Sequence, residues 1–249
     1  MNTTGDGLLV IVPTYNALDY AVLTVETLSV SVPDAKIIVV DDTSPEWTSG
    51  VEKQFTSLSE NVTVHRFSEN GGLTRSWNYG VEKGLQDGAR YIAAGNADLR
   101  FPLGWWEPMR AVLEHSGGLV GPLTNAPGCE AHQDIRKWQR GYNGGHQQAD
   151  VDETQRRLNR WRLRTSIQRR LSGFFIAGRA ESFDRARFSS EFVYDPSNLM
   201  IGNEYQLQSL ALERGIKSYV ALKSFVYHFR SVSRGLNDRE GDRGWSRLN

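Results

Sequence analysis

The chain has 249 residues, of which 39% are hydrophobic, and this length suits one α/β domain with a sizeable buried core. Lysine plus arginine and aspartate plus glutamate each number 29, so no net charge draws the chain towards nucleic acid or a membrane surface. The single cysteine, Cys129, excludes an internal disulfide framework and a cysteine-rich metal site.

The first half of the chain alternates short apolar segments with segments of helical spacing, which is typical of a parallel sheet covered by helices. The predicted strands are Leu8–Val12, Lys36–Val40, Val62–Phe67, Tyr91–Ala94 and Gly118–Pro122. The predicted helices between them include Ala17–Leu28, Leu73–Lys83 and Gly104–His115. We therefore predict an α/β fold with a mostly parallel central sheet flanked by helices, in a single domain.

The second half is less regular. Residues 124–150 are rich in glycine, asparagine, glutamine and histidine, and we predict a long loop, which in a compact domain is either functional or disordered. The remaining predicted elements are a basic helix over Val151–Leu171, a strand over Gly173–Gly178, a helix over Gly202–Arg214 and a strand over Val220–Phe229. Residues 234–249 form a polar tail, and no linker divides residues 1–233.

The amino terminus lacks a basic segment followed by an apolar one, and no stretch approaches the roughly 18 apolar residues of a membrane span. We therefore expect a cytoplasmic protein, with peripheral contact to a membrane left open. The sequence shows no evident obligate protein partner and does not determine the oligomeric state.

Three polar clusters follow predicted strands: Pro13–Asn16, Asp41–Ser44 and Asn96–Asp98. Ligands of open parallel sheets bind beyond the carboxyl ends of the strands, so these loops can converge on one ligand. Asp41 and Asp42 either accept hydrogen bonds from a base or ribose, or only open the next turn. Asp98, with an amide two residues earlier, has the oxygen chemistry that binds a divalent cation beside a diphosphate.

Three further features are candidates for chemistry. Asn70-Gly71-Gly72 leads into a helix that carries Arg75, and such a turn allows close approach to a phosphate, although it is neither a P-loop nor a dinucleotide fingerprint. Glu204 begins a helix, where it is either a general base or a first-turn acid that complements the helix dipole. His228 is either a metal ligand or a core histidine.

The order of these motifs resembles that of the family 2 glycosyltransferases over residues 8–233. The motifs are Val12-Pro13-Thr14-Tyr15-Asn16, Val40-Asp41-Asp42-Thr43-Ser44, Asn70-Gly71-Gly72, Asn96-Ala97-Asp98, Gly121-Pro122-Leu123-Thr124-Asn125, Gly173-Phe174-Phe175, Gly202-Asn203-Glu204-Tyr205-Gln206-Leu207 and Tyr227-His228. The resemblance implies an inverting, rhamnosyltransferase-like enzyme with the Rossmann-like GT-A fold. Residues 8–122 would form the nucleotide-sugar half, and residues 123–233 the acceptor-binding and catalytic half.

The resemblance also implies roles for individual residues. Glu204 would be the catalytic base, and Asp98 and His228 would hold Mn²⁺ or Mg²⁺. The implied donor-binding residues, with Asp42 on the base, are Pro13, Thr14, Tyr15, Asn16, Asp41, Asp42, Asn70, Gly71, Arg75, Asn96 and Ala97. The implied acceptor-side residues are Asn125, Trp161, Gly173 and Asn203.

Two departures from the family pattern bear on these roles. Its D-x-D is here Asn96-Ala97-Asp98, with one carboxylate, and its E-D is Asn203-Glu204. If Glu204 is not the base, Asp195 and Glu191 are the next candidates.

The implied reaction transfers one sugar from a nucleotide-diphosphate-sugar to an acceptor hydroxyl. Seven arginines between residues 156 and 170 indicate either a solvated face or an anionic acceptor. The acceptors considered are a glycan, a lipid-linked saccharide and DNA with a hydroxylated base. The alternatives are a sugar-phosphate nucleotidyltransferase and a non-catalytic nucleotide-sugar-binding module.

Overall fold

The computed structural model describes residues 5–160, 165–199 and 202–230. The strands are β1 Leu8–Thr14, β2 Lys36–Asp41, β3 Val62–Arg66, β4 Tyr91–Gly95, β5 Leu99–Arg100, β6 Leu119–Leu123, β7 Ser166–Gln168, β8 Phe175–Arg179, β9 Ser218–Phe225 and β10 Tyr227–His228. The α-helices are α1 Leu18–Ser31, α2 Val51–Thr56, α3 Leu73–Gln86, α4 Trp106–Ser116, α5 Gln148–Asn159, α6 Ala180–Arg185 and α7 Asn203–Glu213. Two short 3-10 helices, Ala131–Gln133 and Ile135–Lys137, lie in the loop after β6.

Eight of these strands form one sheet, in the order β3-β2-β1-β4-β8-β6-β9-β7. The pairs β1–β2, β2–β3, β1–β4 and β6–β9 are parallel. Strand β8 runs antiparallel to β4 and β6, and β7 runs antiparallel to β9. Strands β5 and β10 form a separate antiparallel ribbon. The predicted α/β class with a mostly parallel central sheet is confirmed.

Both faces of the sheet are buried, which explains the continuous apolar strands of the sequence. Along β1, Leu8 and Val10 pack into the core cluster that contains residues of α1 and α4. Leu9 and Ile11 pack into the opposite cluster, which contains residues of α3 and α7. Because successive side chains of a strand point to opposite faces, a strand covered by helices on both sides must be apolar at every position.

The helix predicted over Val151–Leu171 is wrong in its second part. Helix α5 ends at Asn159, and Ser166–Gln168 form β7, the strand at the end of the sheet beside β9. The backbone groups of β9 pair with this segment, and such tertiary pairing outweighs the local helical preference of an arginine-rich sequence. The sequence carries no period-two pattern here that would have predicted the strand.

Because α5 ends at Asn159, the arginines of this segment do not lie together on the surface of one helix. Arg156 and Arg157 both pair with Glu153 on α5, as expected of a solvated helix face. Arg169 and Arg170 instead follow β7, and Arg170 lies 3.8 Å from Glu130 in the loop after β6. Arg162, Arg164 and the predicted acceptor residue Trp161 lie outside the described residues, as does the predicted tail.

The carboxyl ends of β2, β1 and β4 lie side by side at one edge of the sheet. The chain passes from β1 to β2 on one side and returns to β4 on the other. Such a reversal of strand order opens a crevice above the strand ends. The fold therefore brings the three predicted polar clusters to one place.

Candidate active site at the carboxyl edge of the sheet

A cleft of about 520 Å³ lies at this edge. Its lining includes these predicted residues: Pro13, Thr14, Tyr15, Asn16, Asp42, Asn70, Asn96, Ala97, Asp98, Gly173, Glu204 and His228. Of the other predicted residues, Asp41, Gly71, Arg75, Asn125 and Asn203 do not line it. The cleft therefore collects residues from both halves of the chain around one volume that suits a small ligand.

The turn after β1 has an unusual backbone. Asn16 and Ala17 both have positive φ angles, of 61° and 51°. The amide of Asn16 donates to the Ser44 hydroxyl, at 3.0 Å, so the turn is tied to the loop after β2. Such strain in a residue with a Cβ costs about 1–3 kcal/mol and persists where the surrounding structure determines the backbone. The turn leaves Tyr15 41% exposed above the cleft.

The two aspartates after β2 have different environments. Asp41 is fully buried, accepts hydrogen bonds from the amide and hydroxyl of Ser44, and pairs with Arg66 at 3.0 Å. These partners, Ser44 and Arg66, stabilise the conformation of the loop after β2, and the buried Asp41 carboxylate does not line the cleft. The predicted role of Asp41 in donor binding has no support in this placement.

Asp42 faces the cleft and fixes the turn that begins α3. Its carboxylate accepts from the amides of Gly71 and Gly72, at 3.0 and 2.7 Å, and pairs with Arg75 at 2.5 Å. A carboxylate at a helix amino terminus is stabilised by the unpaired amides there. Its expected contact with a nucleotide base stays a prediction.

Gly71 and Arg75 face a second cavity, of about 530 Å³, on the far side of this turn. The guanidinium of Arg75 lies 3.8 Å from the ring centre of Phe67 and pairs with Asp42. Arg75 thus stabilises the Asp42 carboxylate from the side of the second cavity, and it does not line the predicted donor site. The fallback base Glu191 lines this second cavity as well.

A polar group formed by Asn96, Asp98 and His228 occupies one wall of the cleft. Nε2 of His228 lies 3.3 Å from Oδ1 of Asp98 and 3.2 Å from Nδ2 of Asn96. On the other side of the ring, Nδ1 lies 3.2 Å from the carbonyl oxygen of Ala126. A proton on Nδ1 is donated to that carbonyl, and Nε2 is then the acceptor on the cleft side, beside the amide nitrogen of Asn96.

Asn125 positions His228 from outside the cleft. Its side chain accepts from the amide of His228 at 2.8 Å and donates to the carbonyl of His228 at 3.0 Å. The ring of Phe174 stacks on the imidazole, with 5.5 Å between centroids. The predicted acceptor-side residue Asn125 therefore fixes the backbone of His228.

Glu204 forms another part of the lining, at the start of α7. A Cβ at Gly173 would lie 2.9 Å from the Glu204 carboxyl carbon, so any larger residue would force this side chain to shift. Burial raises the pKa of the Glu204 carboxyl, and hydrogen bonds from backbone amides, including that of Gly173, oppose this shift. The negative charge of Glu130 raises the pKa further. The carboxylate is a stronger base than an exposed glutamate.

Asn203, beside it, is fully buried and connects α7 to α3. Its Nδ2 donates to the hydroxyl of Thr74 at 2.6 Å, and that hydroxyl donates to the carbonyl of Asn198. The predicted acceptor-side residue Asn203 thus fixes where α7 begins. The fallback base Asp195 lies outside the cleft lining, and the hydroxyl and amide of Ser197 lower its pKa.

Several residues of the lining have no role predicted from the sequence, including Ser76, Trp77, Ser172 and Phe174. Trp77 follows the Gly71-Gly72 turn by about one helical turn and donates from Nε1 to the carbonyl of Gly95, at 3.2 Å. Its position after the glycine turn could have indicated it. Phe174 looks like an ordinary core aromatic in the sequence.

Comparison with known proteins identifies the class of this chain. The model of the family described as "Glycosyl transferase family 2" matches residues 9–186. The chain therefore belongs to this family, and the resemblance found in the sequence motifs is confirmed.

Two curated relatives match part of the chain. The putative teichuronic acid biosynthesis glycosyltransferase TuaG of Bacillus subtilis is 34% identical over 90 residues, which are 36% of this chain and 34% of that protein. The undecaprenyl-phosphate mannosyltransferase of Micrococcus luteus is 31% identical over 91 residues, which are 36% of this chain and 37% of that protein. The match thus spans about a third of each relative.

Solved structures share the fold at low identity. GalNAc-T7 with UDP, GalNAc and Mn²⁺ superposes with a TM-score of 0.63 at 16% identity, over 89% of this chain and 43% of that one. The mannosyltransferase PcManGT of Pyrobaculum calidifontis, with GDP-Man and Mn²⁺, gives 0.60 at 13% identity, over 97% and 64%. TarS of S. aureus with UDP gives 0.60 at 15% identity, over 88% and 59%. The predicted GT-A fold is confirmed.

No helix among the described residues is long and apolar enough to cross a bilayer. The cytoplasmic location expected from the sequence stays a prediction.

Proposed function

We propose that this protein transfers a sugar from a nucleotide-diphosphate-sugar to an acceptor hydroxyl, with inversion at the anomeric carbon and with the help of a divalent cation. The family supports glycosyl transfer, and the similar structures that contain UDP or GDP-Man with Mn²⁺ support the donor and the metal.

The observation that carries the proposal is that two adjacent residues, 173 and 174, contact both sides of the site. One side is Glu204, the proposed base, and the other is the proposed cation-binding group of Asn96, Asp98 and His228. Gly173 leaves the space that Glu204 occupies, and the next residue, Phe174, stacks on His228. The carbonyl of Phe174 also accepts from the amide of Asn96, at 2.8 Å. Because these contacts come from adjacent residues, the base and the cation-binding group keep a fixed relative position.

The donor atoms at Asp98 and His228 fit a divalent cation. An imidazole nitrogen and a carboxylate oxygen are both ligands of divalent cations, and Nε2 of His228 lies 3.3 Å from Oδ1 of Asp98 on the cleft wall. The described residues contain no cluster of three or more histidine, cysteine, aspartate or glutamate side chains that could hold a metal. Asp98 and His228 would therefore share the ion with oxygens of the donor diphosphate and water. When bound, the cation neutralises charge on the departing diphosphate.

The chain itself supplies the proton transfer and the orientation. Glu204 accepts the proton of the acceptor hydroxyl while that oxygen attacks the anomeric carbon from the face opposite the nucleotide. The raised pKa of this buried carboxyl strengthens it as a base. The turns after β1 and β2 hold the nucleotide, and Asp42 keeps the start of α3 in place beside it.

The first experiment is a thermal-shift titration with nucleoside diphosphates and nucleotide-sugars, with and without Mn²⁺. A ligand that binds only the folded state raises its stability by mass action, so a metal-dependent shift with one nucleotide supports the proposal and names the donor class. Release of nucleoside diphosphate from that donor then shows catalysis. No shift with any nucleotide at millimolar concentration would contradict the proposal.

Gly173→Ala is expected to lower the turnover number by about tenfold to a hundredfold, because a misplaced reacting group loses much of its effect. The added methyl would lie within 3.2 Å of the Cβ, Cγ and Cδ atoms of Glu204 and must displace that side chain. Turnover is compared with that of Gly50→Ala, at a glycine with a negative φ and open space where its Cβ would stand. Equal activity of Gly173→Ala and the wild type would contradict the assigned contact.

The pH profile of kcat/KM should show an acidic limb above the ordinary glutamate pKa of 4.5, because Glu204 must be ionised to act as a base and burial raises its pKa. Glu130→Gln removes a charge that raises this pKa, so the limb should move to lower pH. A limb at the same pH in both proteins would contradict the coupling between the two carboxylates.

A further inference from the structure

A small polar surface lies next to Glu204, at the rim of the cleft, and consists of Glu130, Arg170 and Tyr205. Nε of Arg170 lies 3.8 Å from Oε1 of Glu130. The guanidinium carbon of Arg170 lies 5.0 Å from the ring centre of Tyr205. The three side chains come from the loop after β6, the segment after β7 and the first turn of α7.

The chain places this surface on the rim of the cleft. Gly128 and Ser172 both line the cleft, and each is two residues from a member of the surface. They are neighbours themselves, since a Cβ at Gly128 would lie 3.8 Å from the hydroxyl of Ser172. Tyr205 directly follows Glu204. The charge of Glu130 acts on Glu204, and the charges of both act on Tyr205, so this surface lies close to the carboxylate that would take the acceptor's proton.

The charges of this surface suit a neutral ligand. Arg170 is the cation of the group and lies 3.8 Å from the carboxylate of Glu130, and the charges of Glu130 and Glu204 both act on Tyr205. The combined effect of burial and these two charges raises the pKa of the Tyr205 phenol to about 12, so this hydroxyl stays protonated and can donate. Two carboxylates, Glu130 and Glu204, face one arginine in this group, so an added phosphate or carboxylate would meet a net negative charge.

We propose that Glu130, Arg170 and Tyr205 form a subsite that binds the hydroxyl groups and one ring face of an uncharged saccharide acceptor. This inference rests on the proposed function, because it assigns Glu204 the proton of that acceptor. A carboxylate and a guanidinium accept from and donate to neighbouring hydroxyls, and such charged hydrogen bonds are stronger than neutral ones. Arg170, whose side chain is 61% exposed, and the half-buried Tyr205 remain accessible for such contacts.

The test is ligand-observed NMR with methyl glycosides of hexoses and N-acetylhexosamines. Wild-type protein should bind at least one of them, and Arg170→Gln and Tyr205→Leu should each weaken that binding by about tenfold. The matched control is Arg169→Gln, since Arg169 is also exposed and its guanidinium donates to the carbonyl of Gln168, at 2.8 Å. Circular dichroism and the unfolding midpoint verify that each variant is folded.

Each other outcome has a defined meaning. Binding that is unchanged in both variants, or absent in the wild type, overturns the subsite. Glucose 1-phosphate that binds more tightly than methyl glucoside, with a steep salt dependence, also overturns it in favour of an anionic acceptor.

Release of nucleoside diphosphate is measured on the same samples. Glycoside binding without release from any nucleotide-sugar contradicts the proposed function and supports the subsite. Release without glycoside binding supports the proposed function and overturns the subsite.

Discussion

Replacing Glu204 with glutamine is expected to lower the turnover number by about 10²–10⁴-fold, which is the usual contribution of a positioned general base. The substitution keeps the shape of the side chain and removes its ability to accept the acceptor's proton. Because the nucleotide is expected beside the turns after β1 and β2, the thermal shift with the donor should be retained. Turnover and thermal shift are measured together, so a loss of chemistry is distinguished from a loss of binding.

The same variant has an expected effect on stability that depends on pH. Burial raises the pKa of Glu204 in the folded state, so the stabilisation from its proton is present below the ordinary value of 4.5 and is lost as the pH rises through the raised pKa. Above that range the ionised carboxylate destabilises the fold. Glu204→Gln should therefore have a free energy of unfolding at pH 8 that equals or exceeds that of the wild type.

The control is Glu213→Gln, at an exposed glutamate at the end of the same helix. It should keep the activity of the wild type. If Glu204→Gln were active while Asp195→Asn or Glu191→Gln was not, the base would be one of those residues. Neither of them lines the cleft, and we expect both variants to be active.

Replacing Asp98 with asparagine is expected to abolish the part of the donor's thermal shift that depends on Mn²⁺. It should also lower the turnover number by about 10²–10³-fold, because neutralising a departing diphosphate is worth several kcal/mol. Asp98 supplies the carboxylate of the group that includes His228, and the asparagine amide carries no charge with which to hold the ion. Chelation of the metal in the wild type should have the same effect.

Asp87→Asn serves as the control for this prediction, because Asp87 is exposed at the end of α3 and pairs with Lys83 at the surface. It should keep the full Mn²⁺ dependence. An Asp98→Asn variant with an unchanged Mn²⁺-dependent shift would show that the cation, if one is used, binds elsewhere.

The sequence predicted the mostly parallel sheet and the positions of its first strands along the chain, for a physical reason. A strand covered by helices on both faces is apolar at every covered position, as residues 8–12 and 37–40 are, and the covering helices have helical spacing. The edge strand β7 escaped prediction, because Ser166–Gln168 are half exposed and carry neither pattern. This segment is a strand because its backbone pairs with the edge of β9.

The candidate site could likewise be predicted from the sequence only in part. Parallel strands place their following loops at one edge, so Pro13–Asn16, Asp42 and Asn96–Asp98 could be grouped before the structure was known. Which of two adjacent aspartates faces the cleft could not, because that depends on Ser44 and Arg66 enclosing Asp41 and on the start of α3 meeting Asp42.

By itself, the sequence determined the α/β fold, the family and the set of loops that could contain the functional residues. These depend on local features, namely the apolar strands, the helical spacing between them and the polar residues that follow each strand. The tertiary structure decided which polar side chains line the cleft, because burial and orientation depend on residues distant in the chain. It places Gly173 against Glu204 and Phe174 against His228. It also shows that three predicted site residues lie outside the cleft lining, where they hold residues in or beside it: Arg75, Asn125 and Asn203. It also brought Glu130, Arg170 and Tyr205 together from three separate segments, which no local pattern could have indicated.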